Sequence, residues 1–189
     1  MVMDNSRHNE LVALLWRRSV QRGSFKLASG RMSSYYVDAR STTMSALGLD
    51  LVGQLGLEAI RSAKWSAASV GGLTMGADPV AYAIARASFA NPPVLDAFSV
   101  RKEAKDHGRG RRIEGCFTAG THVVVVEDTI TSGGSALSAI EAVSAEGGKV
   151  VGVVAVIDRE EGGRAAIERA GYEVRALVTA SDLGLIPNQ

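Results

Sequence analysis

Cysteine, histidine and proline are scarce in this chain of 189 residues: one Cys (Cys116), three His (His8, His107 and His122) and four Pro. A lone thiol excludes a disulfide framework, and histidines so far apart in sequence offer no Cys/His zinc site. A reducing cytosol fits, and a cytoplasmic protein is expected. Charge of one sign is also missing, since 21 Lys and Arg against 20 Asp and Glu leave a formal net charge of +1. That balance withholds the bulk basic charge used in non-specific binding to nucleic acid or membrane surfaces, so any anion site must be local. The longest apolar run, Val150 to Ile157, is too short to cross a bilayer, and the polar stretch from Met1 to Glu10 lacks an apolar signal core. A soluble, unexported protein is expected, with neither membrane nor nucleic acid as partner.

What is present is core-forming material. Hydrophobic residues make up 46% of the chain and glycine contributes 21 positions, enough for one substantial core, so residues 1–189 read as a single domain. Helical spacing of Leu11, Leu14, Leu15 and Val20 predicts an amphipathic helix from about Asn9 to Val20, and Leu47, Leu51, Leu55 and Ile60 predict another from Ser45 to Arg61. Between them, Ser34 to Asp38 reads as a strand after the turn-forming Ser29-Gly30. Further on, apolar runs at Ala68 to Val70, Val94 to Val100, Val123 to Val126 and Val150 to Ile157 alternate with helix candidates at Pro79 to Phe89 and Ser135 to Ala145. Strands apolar at every position are buried on both faces, which predicts an α/β fold with a mainly parallel sheet flanked by helices. Asp78-Pro79 reads as the N-cap and first residue of its helix.

Ligands of open α/β sheets bind beyond the carboxyl ends of the strands. Val123 to Val126 leads into Glu127-Asp128-Thr129-Ile130-Thr131-Ser132-Gly133-Gly134-Ser135. Two carboxylates suit vicinal ribose hydroxyls, and a hydroxyl- and glycine-rich turn opening a helix suits a phosphate. The turn has neither the Lys of a P-loop nor the glycine spacing of a dinucleotide site. The competing reading is a capped helix beside two solvated acids. A second segment, Arg101 to Arg112, holds six Lys/Arg, two acids and two glycines, with no apolar residue larger than Ala104. Such a run is commonly a solvated face; following a strand and hinged by glycines, it also suits a loop that closes over a diphosphate.

The Val123 to Ser135 segment closely resembles the phosphoribosyl-diphosphate signature of the type I phosphoribosyltransferases. With Ser29-Gly30-Arg31-Met32-Ser33-Ser34-Tyr35-Tyr36-Val37-Asp38, Gly71 to Pro79, Arg101 to Gly108 and Val156 to Arg159, the chain is similar to the orotate-using family among them, from about Phe25 to Leu185. The resemblance implies the type I fold, with a small hood from about residues 1–40 and a mobile catalytic loop at about 101–114. It implies transfer of phosphoribosyl from phosphoribosyl diphosphate to orotate, giving orotidine 5'-phosphate and pyrophosphate, with Mg2+ held mainly through the diphosphate rather than by protein ligands. It also implies a homodimer with shared active sites.

Carried over by residue, Glu127 and Asp128 hold the ribose hydroxyls, and Thr129, Ile130, Thr131, Ser132, Gly133, Gly134 and Ser135 cradle the 5-phosphate. Thr74, Met75 and Gly76 approach the pyrophosphate. Lys105 and His107 stabilise the leaving group, with Arg101, Lys102 and Asp128 also in the catalytic set. Arg159 and Thr131 hold orotate, a guanidinium fork suiting a carboxylate that uracil lacks; Ser29, Gly30, Tyr35 and Tyr36 complete the substrate pocket. The competing reading of Arg159 is a surface salt bridge to Glu160 or Glu161. Many relatives carry Lys where this chain has Ala28 and Met75, and Asp where it has Glu127; Lys26, two residues before Ala28, could face the same side of a strand. The missing lysine keeps open a transferase for another base. A regulator that senses phosphoribosyl diphosphate and binds nucleic acid through Arg101 to Arg112 is the reading from a different class.

Overall fold

The computed structural model describes residues 5–26, 32–103 and 112–185. Along them run α1 (Asn5–Arg18), β1 (Val20–Lys26), β2 (Met32–Val37), α2 (Arg40–Thr43), α3 (Ala46–Ser62), β3 (Ser69–Leu73), α4 (Ala77–Ala90), β4 (Asp96–Val100), β5 (Ile113–Gly115), β6 (His122–Ile130), α5 (Gly134–Ala145), β7 (Lys149–Asp158), α6 (Gly163–Arg169) and β8 (Val174–Thr179). Six strands form one sheet in the order β5-β4-β3-β6-β7-β8, and β1 pairs with β2 in a separate two-stranded sheet. All neighbours in the larger sheet are parallel except β5, which runs antiparallel to β4 at an edge.

The valine run explains the layering. Val123 to Val126 are wholly inaccessible to solvent. Their side chains alternate: Val124 and Val126 join a core with α1, α3 and α4 residues such as Leu15, Leu55 and Ile84, while Val123 and Val125 join a second core with Ala139, Ile140 and Val143 of α5. A strand sandwiched between two helical layers has no polar face, hence apolar residues at every position. Burying one such valine stabilises by about 1.5–3 kcal/mol, so β6 is anchored before its functional end begins.

Several boundaries differ from expectation for local reasons. The first helix begins at Asn5 and ends at Arg18, because apolar spacing marks only the buried stripe, and Val20 belongs to β1. Ser45 caps α3, its Oγ accepting from Gly48 N at 3.1 Å. The α4 cap position is Gly76 rather than Asp78, and Asp78 instead accepts from Thr74 Oγ1 at 2.6 Å. The segment expected as a loop over about 101–114 includes the edge strand β5 at its end. Among the described residues of 1–40, β1 and β2 form a separate sheet, while Leu11, Leu14 and Leu15 of α1 enter the main core together with Tyr35 and Val37 of β2. Among the described residues, no helix is long and apolar enough to cross a membrane.

Candidate active site

The acid pair lies on a strand, not in a loop. β6 continues past Val126 through Ile130 and remains paired with β7, Glu127 beside Ala155 and Thr129 beside Ile157. The backbone then turns at Gly133, whose φ of +84° is in the left-handed region, and enters α5. Besides this conformation, a Cβ at Gly133 would lie 2.8 Å from the Gly163 carbonyl oxygen, so a side chain is excluded twice. No side chain caps α5. The first-turn N–H groups of α5, which have no acceptor within the helix, therefore border a recess of about 90 Å3 lined by the 129–136 turn and Glu127.

This recess adjoins a cleft of about 550 Å3. The structure brings Tyr36, Thr74, Met75, Gly76, Lys102, Glu127, Asp128, Thr129, Thr131, Ser135 and Arg159 to its walls, residues drawn from five separate segments. Ile130, Ser132, Gly133 and Gly134 line the phosphate-sized recess. The turn before α4 touches the acid pair directly: a Cβ at Gly76 would come within 2.6 to 2.7 Å of the Asp128 carboxyl atoms, so only glycine permits this approach. Thr74 Oγ1 donating to Asp78 ties the same turn to its helix.

Burial, reinforced by the neighbouring Asp128 side chain, pushes the Glu127 carboxyl up to about 9. Glu127 is 5% exposed; its Oε1 accepts from Asp128 N at 3.3 Å, and Oε2 has no hydrogen-bond partner among the described residues. Burial and the neighbouring acid thus favour the protonated form of Glu127, in which the pair is able both to give and to accept hydrogen bonds with vicinal hydroxyls.

Also in the cleft wall, Arg159 follows β7, its backbone N donating to Ile130 O at 3.0 Å. The expected alternative of a salt bridge is realised with Glu161, Nη2 to Oε1 at 2.7 Å, but the pair is buried rather than superficial. Arg159 Nε and Nη2 have no hydrogen-bond acceptor among the described residues. Tyr35 does not line the cleft; it is 2% exposed, with its ring against the Arg159 guanidinium.

Two further expectations have different placements. Arg101 is absent from the cleft walls and pairs with Glu114 at 3.9 Å, so among the described residues of this segment Lys102 is the one that reaches the cleft. Ser29, Gly30, Lys105 and His107 lie outside the described residues, as does Ala28. Sequence reasoning missed Arg40, which lines the cleft while its Nε and Nη2 donate to the two Asp38 oxygens at 2.8 and 3.0 Å. This fork holds the Asp38 carboxyl below its usual range. The Asp38-x-Arg40 spacing at the end of the Tyr-Tyr-Val strand was its available signal.

A sheet with a strand-end acid pair, a phosphate-sized helix N-terminus and a glycine turn against the acids defines a phosphoribosyl-handling protein, and residues 47–171 match the phosphoribosyl transferase domain family. The chain is 45% identical over 181 residues to an orotate phosphoribosyltransferase of Rhodopirellula baltica, covering 94% of each. It is 49% identical over 176 residues to the orotate phosphoribosyltransferase of Mycobacterium tuberculosis, covering 93% of this chain and 96% of the relative. The crystal structure of the latter enzyme in complex with 5-phospho-alpha-D-ribosyl 1-diphosphate superposes with a TM-score of 0.80 at 45% identity, over 95% of this chain and 99% of the other. The chain belongs to the orotate phosphoribosyltransferase family.

Proposed function

We propose that this protein joins orotate to phosphoribosyl diphosphate, forming orotidine 5'-phosphate and pyrophosphate, a step of pyrimidine nucleotide synthesis. The observation that carries this reading is the convergence of the Glu127-Asp128 pair, the α5 N-terminus, the Thr74 to Gly76 turn and Arg159 on one continuous space. The family membership and a relative's complex with phosphoribosyl diphosphate support it.

In this reading the 5-phosphate sits against the N–H groups of residues 132–135, and Glu127 and Asp128 take the ribose hydroxyls. The anomeric carbon is then held between the Thr74 to Gly76 turn and the base. A ring nitrogen of orotate bonds to that carbon as the carbon–oxygen bond to diphosphate breaks; the electron pair departs on pyrophosphate, and the ring N–H proton is released. The transition state resembles the oxocarbenium ion of glycoside hydrolysis, so no protein nucleophile is needed. Positioning and electrostatics supply the catalysis. Lys102, with Lys105 and His107, meets the charge that develops on the leaving group, and Arg101 belongs to the same loop. Arg159 and Thr131 receive the orotate carboxylate side of the base, and Ser29, Gly30 and Tyr36 complete the pocket.

Among the described residues no three His, Cys, Asp or Glu side chains gather as a metal cage. An acid pair facing a diphosphate-sized cleft would suit a Mg2+ ion carried mostly by substrate oxygens, towards which Asp128 could offer a carboxylate. When bound, the ion supplies neutralisation of diphosphate charge. The working form is a cytoplasmic homodimer in which the part of the 101–114 segment that carries Lys105 and His107 serves the partner's site, while Lys102 serves the cleft of its own subunit. The whole chain acts as one domain, with the β1–β2 region as hood.

The direct test is formation of orotidine 5'-phosphate from orotate, phosphoribosyl diphosphate and Mg2+, with uracil and hypoxanthine as competing bases. Turnover with orotate alone is expected. A folded protein that makes no product, or that prefers another base, contradicts the reading. For the shared site, inactive Lys105→Ala subunits mixed with inactive Asp128→Ala subunits should regain activity; mixtures that stay inactive reject it.

A further inference from the structure

Arg159 is a cation set into protein, its side chain 7% exposed, and a guanidinium there requires a counter-charge. Glu161 provides it: its side chain is 1% exposed and its Oε1 stands 2.7 Å from Arg159 Nη2. Both residues lie in the short connection between β7, ending at Asp158, and α6, starting at Gly163. Tyr35, from β2 and 126 positions before Glu161, completes the group: its ring centroid is 5.0 Å from Arg159 Cζ, and its hydroxyl donates to the same Glu161 Oε1 at 3.5 Å.

A buried ion pair is a poor device for stability, because a well-packed apolar pair of the same volume does at least as well. Its place in a cleft wall calls for another role. The contact to Glu161 is an ion pair without hydrogen-bond alignment, since Arg159 Nε and Nη2 have no hydrogen-bond acceptor among the described residues. Glu161 thus anchors the guanidinium by charge at a fixed place while leaving its donors unspent. The Tyr35 face restricts the plane of the same group.

We propose that Glu161, assisted by Tyr35, is a positioning residue for base recognition: it holds the Arg159 guanidinium in the orientation that receives the carboxylate of the base. This inference rests on the reading above that Arg159 is the carboxylate receptor. Two effects of Glu161 oppose each other, because it orients Arg159 and also repels an incoming carboxylate. A carboxylate hydrogen-bonded to the guanidinium would be closer to Arg159 than to Glu161, so the attraction would exceed the repulsion and the benefit of orientation would remain. Freezing a long, rotamer-rich side chain beforehand also removes an ordering cost from binding.

The test is steady-state kinetics of Glu161→Gln, Tyr35→Phe and Arg159→Ala, varying orotate and phosphoribosyl diphosphate separately, with thermal melting alongside. Glu161→Gln should raise the KM for orotate about tenfold, and Tyr35→Phe about threefold, leaving the KM for phosphoribosyl diphosphate within about twofold. An unchanged or lowered orotate KM in Glu161→Gln overturns the proposal, the lowered value marking Glu161 as a competitor. Equal rises for both substrates with a lowered Tm overturn it as well, in favour of a structural pair. If Glu161→Gln does not fold, the orotate-selective change in Tyr35→Phe decides the question alone. Arg159→Ala separates the two levels: if it spares the orotate KM, the receptor reading fails, and if it raises that KM while Glu161→Gln does not, only the positioning role fails.

Discussion

The two ends of the cleft are built on different principles. At the phosphate end one uninterrupted segment, residues 127–136, supplies the acids on a strand, the turn and the helix N-terminus. The groups it offers to a phosphate in the proposed reading are largely backbone N–H, fixed as soon as β6 and α5 fold. At the proposed base end, Tyr35 comes from β2 while Arg159 and Glu161 come from the β7–α6 connection, and the groups available for recognition are side chains. Backbone recognition is rigid and indifferent to much side-chain change, whereas side-chain recognition depends on partners that hold each group in place. Changes at the two ends should therefore fail in different ways.

The largest effect is expected where the ends meet. Asp128→Ala removes the acid that contacts the Gly76 turn, and kcat/KM should fall about a thousandfold with the fold intact, measured by initial rates and melting. A loss below about tenfold would move the reacting centre away from this acid. Next comes the backbone end. Gly133→Ala forces a side chain into a left-handed turn and against Gly163, so about 1–2 kcal/mol of stability should be lost. The KM for phosphoribosyl diphosphate should rise while that for orotate changes little. A selective effect on orotate would break the comparison, because it would make the phosphate turn part of base recognition.

The last effect bears least on the comparison and concerns protons. Burial raises the folded-state pKa of Glu127 to about 9 from an ordinary 4.5, so between those values the unfolded chain binds fewer protons than the folded one. The contribution of Glu127 is then most favourable below about 4.5 and declines as pH rises toward about 9. Glu127→Gln removes this dependence, and the Tm of the variant minus that of the parent should grow as pH is raised from 5 to 9. A difference independent of pH would show that Glu127 is ionised in the folded protein.

The same contrast governs what could be read from the sequence. The phosphate end was legible because its groups are contiguous and their spacing is dictated by a strand, a turn and a helix start. The parallel sheet was legible for a related reason: strands covered on both faces, such as Val123 to Val126, are apolar throughout. The extension of β6 through Glu127 to Ile130 was missed because polar residues at a strand end look like a loop until their ladder partners on β7 are known. β5 and β8 gave weaker signals, being a three-residue edge strand and a strand interrupted by the exposed Arg175. At the base end, Arg159 could be singled out, but no local pattern linked it to Tyr35. That association depends on tertiary packing between segments more than a hundred residues apart.

A crystal structure with bound orotidine 5'-phosphate tests the two-ended cleft most directly. The account predicts the phosphate against the 132–135 backbone, the ribose hydroxyls at Glu127 and Asp128, and the base carboxylate at Arg159. A nucleotide bound in the reverse sense, or with its phosphate at Arg159, would contradict it.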